Sequence, residues 1–533
     1  MSIRLINCSL IDQDALEGDF ALQIENGLIT YVGSIRDSKS WPQAEGELSL
    51  DGRIVLPGLM DAHMHLENWA LRHSQVSLDH VSSLKELLDL VRQQVVQQKQ
   101  RGDTGSLILG GWNEEVYPER RPPTINEMDQ VSKGIPLILT RICGHVCLVN
   151  SAVLKEFDWQ KYAAEDPGSV GLDADGQPNG LLSENTMSAL LSLQQDHSLE
   201  KKRELLRFGL KSMAAYGLTA VASQETNSLE DVDFLEVLAD IYAENQDLPA
   251  YYAQMGLSHP DEINDFLVLR QKYKKHPLIR ISSVKLFKDG SLGGRTALLR
   301  DPYSDDPTKT GLDLIPYQDL VEWFEKANEA GVQLTIHAIG DRAIAEIIAA
   351  FNAASRTQED RSNPLRHAII HCQITDRDLV QALAKTNLLV VTQPLFAQSD
   401  WSMAEARLGS ERRNNAYDYR GIMDAGIHQA FSSDSPVESA NPLLTLAAAM
   451  DHPQNEKAIS LAEAMAASTA EVAYFLGQER SRGAIQSGAA ADFTVLDANS
   501  ANKLTADQLP KTEIALTMRD GNIIYQKPEI FNQ

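Results

Sequence analysis

The chain has 533 residues, too many for one ordinary core and suited to a large barrel with an appended module. Its 48 Lys plus Arg against 74 Asp plus Glu leave a net charge of −26, a surface that repels nucleic-acid backbones and anionic lipid headgroups, so neither is an expected partner. Hydrophobic residues make up 43% of the chain and aromatics 6%, with no apolar run of membrane-spanning length, so a globular protein with a small-molecule substrate is expected. Homo-oligomerisation is left open.

The N-terminal "MSIRLINCSLIDQD" lacks the apolar core of a secretory signal, which points to the cytoplasm. The cysteines, Cys8, Cys143, Cys147 and Cys372, are too scattered for a disulfide framework and are expected to be reduced thiols. Residues 1–56 read as short strands, with a hairpin signal at Asn26-Gly27, and the C-terminal segment repeats the pattern with Asp520-Gly521 at a turn. Neither end has enough strands to bury a face, so residues 1–56 plus 481–533 are expected to form one β-sandwich module.

Between the ends, strand-like and helix-like runs alternate. "GLMDAHMHL", "GLTAVASQE", "AYYAQMGL", "IRISSVKLF", "VQLTIHAIG", "AIIHCQI", "LLVVTQP" and "HQAFSSDSP" are candidate strands, separated by helical patterns such as "LVEWFEKANEA". This α/β alternation predicts a TIM-like (β/α)₈ barrel over 57–480, with an insertion at about 68–210 that is longer than one crossover needs and reads as a lid.

In such a barrel the chemistry gathers at the carboxyl ends of the strands, and there the sequence places His63, His65, Lys285, His337, His371 and Asp434. On a strand, residues one apart face the same way, so His63 and His65 offer two imidazoles to one ion; packing on a half-buried strand is the plainer alternative. Several imidazoles with a carboxylate suit Zn²⁺ or a similar divalent cation better than magnesium or calcium. Lys288 falls on the opposite strand face, where solvation or an ion pair is expected. His367 and His371 both face one side of a short strand, and spacing alone does not choose a ligand between them.

The segments "LPGLMDAHMHL", "VKLFKDGSLGGRTA", "LTIHAIGDRAI", "HAIIHCQ", "SSDSPVESANP" and "GAIQSGAAADFTVLD" together resemble the amidohydrolase superfamily, in the branch of metal-dependent hydrolases that contains N-substituted formamide deformylase and the YtcJ-like proteins. The resemblance implies that His63, His65 and Asp434 hold one metal ion and that Asp434 takes a proton from the attacking water. It implies His337 and His371 as ligands of a second ion, or one of them as completing a single site. Lys285 is then either a carbamate bridging two ions or an ordinary amine paired with Asp289, the carbamate being the preferred reading. His145 matches a family histidine that follows an aspartate-glycine pair, here changed to Cys143-Gly144, and is expected to face the pocket and polarise a substrate carbonyl. Ser223 to Glu225 stand where the family usually carries a His-Asp pair, which leaves substrate contacts there open.

A soft-metal site in "CGHVC" is disfavoured, since only Cys143, His145 and Cys147 are on offer. Trp112 and Tyr117 read as packing residues of the insertion rather than pocket lining. The function implied is cleavage of a C–N bond, in an amide, N-formyl or cyclic amide, by metal-activated hydroxide. Two alternatives remain at this stage: a deaminase of a small heterocycle, and a barrel without turnover that acts as a binding or regulatory protein.

Overall fold

The structure, a computed structural model, describes residues 2–11, 15–74, 76–102, 105–142, 146–165, 168–194, 198–355, 362–500 and 504–528. Among these residues the strands assemble into three sheets.

The central sheet contains β1 (Leu59–Met64), β2 (Leu218–Ser223), β3 (Ala250–Gly256), β4 (Ile279–Phe287), β5 (Gln333–Ala338), β6 (Ala368–His371), β7 (Leu389–Thr392) and β8 (Gln429–Phe431). They lie side by side in chain order, each parallel to the next. β1, β2, β3, β6 and β7 are buried along their whole length, as strands covered on both faces must be. Behind β8 the ring is drawn together, because the Asp434 amide donates to the His63 carbonyl at 2.9 Å and the His65 amide to the Ser435 carbonyl at 2.7 Å. The sheet is a nearly closed TIM-like barrel.

The period of two sorts the side chains. Met60 and Ala62 of β1 join Ala220, Ala222, Ile370, Val391 and Ala430 in an apolar cluster completed by Val472 and Phe475 of the helix Ala470–Phe475. Register carries the sorting to β5 and β4: Thr335 and His337 pair with Ala368 and Ile370, and Lys285 pairs with Thr335, so Ser283, Lys285, Thr335 and His337 share the face of that cluster. The Ser283 and Thr335 hydroxyls lie 3.2 Å apart there, one layer below the lysine and the histidine.

Both chain ends meet in a second sheet, ordered Asn522–Gln526, Ile514–Arg519, Phe493–Leu496, Gly46–Pro57, Ser2–Ile11, Ala15–Glu25, Leu28–Ser34. The sequence predicts a sandwich here, and the pairings join all seven strands into one sheet, whose two halves share a core in which Leu22, Ile24 and Ile29 meet Leu516 and Met518. The reason is the 12-residue strand Gly46–Pro57, which carries Ser2–Ile11 along one edge and Phe493–Leu496 along the other and so joins the two ends edge to edge. Asn26 and Gly27 (φ 50° and 83°) and Asp520 and Gly521 (φ 47° and 75°) both supply the left-handed pair that a tight two-residue hairpin turn requires.

Residues 70–205 form a separate compact unit, against an insertion read from the sequence at about 68–210. Its sheet contains Val170–Leu172, Pro178–Ser183, Val146–Val149, Leu137–Arg141, Leu107–Trp112 and Val76–Ser77 in that order. Leu87 and Val91 of the helix Leu84–Arg101 pack on Leu109, Trp112, Tyr117 and Leu139 in its core, and the Trp112 indole N–H donates to the Leu139 carbonyl at 3.0 Å. Both aromatics are packing residues of this unit. No helix among the described residues is long and apolar enough to cross a membrane.

Candidate metal centre

At the carboxyl ends of the strands the barrel brings His63, His65 and Asp434 together, with donor atoms all within 4.8 Å of one another. His371 lies next to them, its ring centroid 6.3 Å from that of His63, and His337 beyond it at 4.4 Å from His371. The backbone is left-handed at His371 (φ 79°) and Asp434 (φ 53°), a conformation that residues with a side chain hold only where the surrounding fold imposes it.

Three of these imidazoles are held from behind. His63 Nδ1 lies 2.5 Å from Gln254 Oε1, and the Gln254 amide nitrogen donates to the Ala62 carbonyl, which fixes that oxygen toward the ring. His65 Nδ1 faces the Gln224 carbonyl at 2.9 Å. His371 Nδ1 faces Gln393 Oε1 at 2.8 Å, with the Gln393 nitrogen turned to the Ser432 hydroxyl. With an acceptor behind each of these three Nδ1 atoms, the proton sits on that nitrogen and Nε2 of the neutral ring is left as a lone pair, the arrangement of an imidazole ready to ligate.

The front of the site has no such partner for a lone pair. His63 Nε2 is 3.3 Å and His65 Nε2 3.4 Å from Asp434 Oδ1. Burial, with the Lys285 charge adding to it, pushes His63 down to about 3, so the ring is neutral at ordinary pH. Burial opposes ionisation of Asp434, but the imidazoles beside it outweigh burial and hold the carboxyl well below its usual range; against its own burial His65 is pushed up by Asp434 and donates to it, while the neutral His63 ring keeps its lone pair toward the carboxylate. A lone pair thus faces a carboxylate, two acceptors that repel unless a cation lies between them. Donors about 2.1 Å from a tetrahedral zinc are about 3.4 Å apart, the separations found here. The donor set fits a divalent ion.

Lys285 is 1% exposed and its Nζ has no hydrogen-bond partner. It does not pair with Asp289 and lies 4.0 Å from the Phe287 ring centroid. Burial, partly offset by the Asp434 charge, pushes it down to about 7. Burial likewise pushes His371 down to about 4 and His337 well below the ordinary imidazole value.

Lys288 takes the opposite face and, of solvation and an ion pair, it makes the ion pair there. It is completely buried, with Nζ 2.5 Å from Asp313, 2.6 Å from Glu346 and 2.7 Å from the Ile315 carbonyl. The outside of a barrel strand is covered by helices, here Asp341–Ala354. Lys288→Met is expected to cost about 3 kcal/mol in a urea melt, because it leaves Asp313 and Glu346 facing each other without their cation.

His367 is a core histidine. Its Nδ1 accepts the Leu334 amide at 2.9 Å, its Nε2 meets Asn328 Oδ1 at 3.0 Å, and the ring packs on Phe324 and Phe351. Ser223 to Glu225, where the resemblance lapses, support His65 and the start of the helix Leu66–Ser74: Glu225 accepts the Leu66 and Glu67 amides and the Tyr251 hydroxyl. Cys143 and His145 lie outside the described residues, and Cys147 is a buried thiol that burial pushes up to about 12.

Gln254, Gln393 and Asp61 do not follow from the metal-ligand pattern. Asp61 accepts the Ser433 hydroxyl at 2.6 Å and the His63 amide at 3.1 Å, tying β1 to the segment after β8, and burial pushes its carboxyl up to about 7. The sign of Gln254 in the sequence is a single amide side chain inside the apolar run of β3, where burial demands a polar partner.

The sequence pattern of the Amidohydrolase family matches residues 47–525. The chain belongs to the amidohydrolase family. Among its relatives, the YtcJ amidohydrolase of Bacillus subtilis (strain 168) is 30% identical over 529 residues, covering 96% of this chain and 97% of that one. N-substituted formamide deformylase of Arthrobacter pascens is 24% identical over 553 residues, covering 98% of each chain. The crystal structure of an uncharacterized metal-dependent hydrolase from Pyrococcus furiosus superposes with a TM-score of 0.74 at 24% identity, covering 93% of this chain and 99% of that one, a likeness of fold. This amidohydrolase is a hydrolytic enzyme, and its centre is a divalent-metal site by its donor chemistry.

Proposed function

We propose that this amidohydrolase hydrolyses a C–N bond other than a peptide bond, in a small-molecule amide, N-formyl amine or cyclic amide, with zinc at the centre and in the cytoplasm. The observation that carries the reading is the neutral His63 imidazole facing the Asp434 carboxylate at 3.3 Å with its Nδ1 proton already committed to Gln254. The three buried free thiols, Cys8, Cys147 and Cys372, fit a reducing compartment.

His63 Nε2, His65 Nε2 and Asp434 would hold one ion, with His337 and His371 as the donors of a second. When bound, such an ion polarises the scissile carbonyl and makes water nucleophilic near neutral pH. Asp434 takes the proton of the attacking water at its carboxylate and hands it to the departing nitrogen. Gln254, Gln224 and Gln393 keep the rings from turning while charge builds up. The neutral Lys285 amine adds to CO₂ with loss of one proton and becomes an anionic carbamate between the two histidine pairs, which removes the repulsion an ammonium would exert on the cations.

The reading is tested by assaying metal-stripped protein on a panel of N-formyl amines, cyclic amides and dipeptides before and after adding zinc. Turnover of a non-peptide amide that disappears on stripping and returns with zinc is expected. Zinc-loaded protein inert on the whole panel, or releasing ammonia only from amino-heterocycles, would contradict it.

A further inference from the structure

The segment 289–298, which follows β4, supplies no donor to the metal centre, yet its hydrogen bonds converge on one imidazole. The Asp289 carboxylate is fully buried and accepts three backbone amides: Ile339 at 3.0 Å and Gly340 at 2.8 Å after β5, and Leu298 at 2.8 Å from the far end of its own loop. The loop is braced inside by the Gly290 amide on the Thr296 carbonyl at 3.1 Å and the Ser291 amide on the Thr296 hydroxyl at 2.9 Å. A Cβ at position 290 would stand 2.3 Å from that hydroxyl, and one at 340 only 2.0 Å from the Leu298 carbonyl, so the close approach requires glycine at both.

What the brace presents to His337 is a pair of acceptors. The Gly290 carbonyl is 3.2 Å and Asp289 Oδ1 3.5 Å from His337 Nε2. The nearer atom, a carbonyl oxygen, has no proton to give, and Asp289 Oδ1 already accepts the Ile339 amide, so Nε2 of the neutral ring carries the proton and Nδ1 is the lone pair. This is the reverse of His63, His65 and His371, whose Nδ1 atoms face acceptors.

We propose that Asp289 is a positioning residue for His337: by rooting the 289–298 loop on residues 339–340 it sets the Gly290 carbonyl against Nε2 and so selects the tautomer in which Nδ1 is the ligating atom. The metal part rests on the reading of His337 as a ligand under the proposed function. The tautomer part does not, because it is a property of the metal-free ring.

Long-range proton–nitrogen correlation of metal-free protein labelled with ¹⁵N-histidine tests it, with the His337 resonances among the 13 histidines assigned by their loss in His337→Gln. The wild type should show His337 protonated at Nε2 alone. Asp289→Asn should mix both tautomers at that ring, leave His63, His65 and His371 unchanged, and weaken zinc binding by about 10- to 100-fold. A single Nε2-protonated His337 with unchanged zinc affinity in Asp289→Asn would overturn the proposal. If that variant does not fold, Thr296→Val loosens the same loop, and an unmoved His337 there overturns the proposal equally. Full zinc stoichiometry in His337→Gln would instead defeat the ligand reading, a failure the metal-free spectrum keeps separate.

Discussion

Asp434→Asn is expected to lower kcat by about 10²- to 10⁴-fold, the usual contribution of a positioned general base, while the protein still binds zinc. Asparagine keeps the shape of the side chain and one oxygen toward His63 and His65, but it cannot accept the proton of the attacking water or return it to the leaving nitrogen. Metal content and kcat measured on the same preparation separate the two roles of the residue. Asp434 is held well below the usual carboxylate range, because the imidazoles beside it outweigh burial, so it is a carboxylate throughout the working pH range. Zinc-loaded Asp434→Asn turning over at near the wild-type rate would move the base elsewhere.

Lys285→Met is expected to remove most activity and lower the metal content with it, since the preferred reading makes the modified lysine a ligand for both ions. A short carboxylic acid added to Lys285→Ala, which leaves more space, should restore part of both. The same substitution has the opposite effect on the metal-free fold. Burial lowers the Lys285 amine to about 7, so between there and its unfolded value near 10.5 the unfolded chain binds one more proton than the native one, and stability rises with pH. Below about pH 7 the native state carries a buried ammonium with no hydrogen-bond partner. Metal-free Lys285→Met should therefore be more stable than wild type at pH 6, with the advantage shrinking steadily toward pH 10 in urea melts. An advantage independent of pH would place the lysine outside the site's electrostatics.

The eight barrel strands and the strand ends bearing His63, His65, Lys285, His337, His371 and Asp434 were legible because apolar runs with a polar residue at the carboxyl end are a one-dimensional pattern. The side-chain period of two also placed Lys288 on the face away from Lys285. What it could not supply was what covers that face, and the helix Asp341–Ala354 decides between the two expectations for Lys288, solvation or an ion pair, in favour of a buried ion pair with Asp313 and Glu346. Asp289 was legible as a neighbour of Lys285 in sequence, but its partners are the amides of Leu298, Ile339 and Gly340, and backbone donors leave no trace in composition. The same holds for Gln254 and Gln393, whose role depends on rings that are distant in the chain. The terminal module was legible in its hairpins but not in its closure. The edge-to-edge joining of the two chain ends depends on how far one strand, Gly46–Pro57, extends past its neighbours, which composition does not reveal.

The central claim, that the lone pairs of His63 and His65 face Asp434 across a divalent ion, is tested most directly by anomalous scattering at the zinc absorption edge from crystals of the zinc-loaded protein. The account predicts an anomalous peak about 2.0–2.2 Å from His63 Nε2, His65 Nε2 and an Asp434 oxygen. Fully loaded crystals with no peak between these three side chains would contradict it.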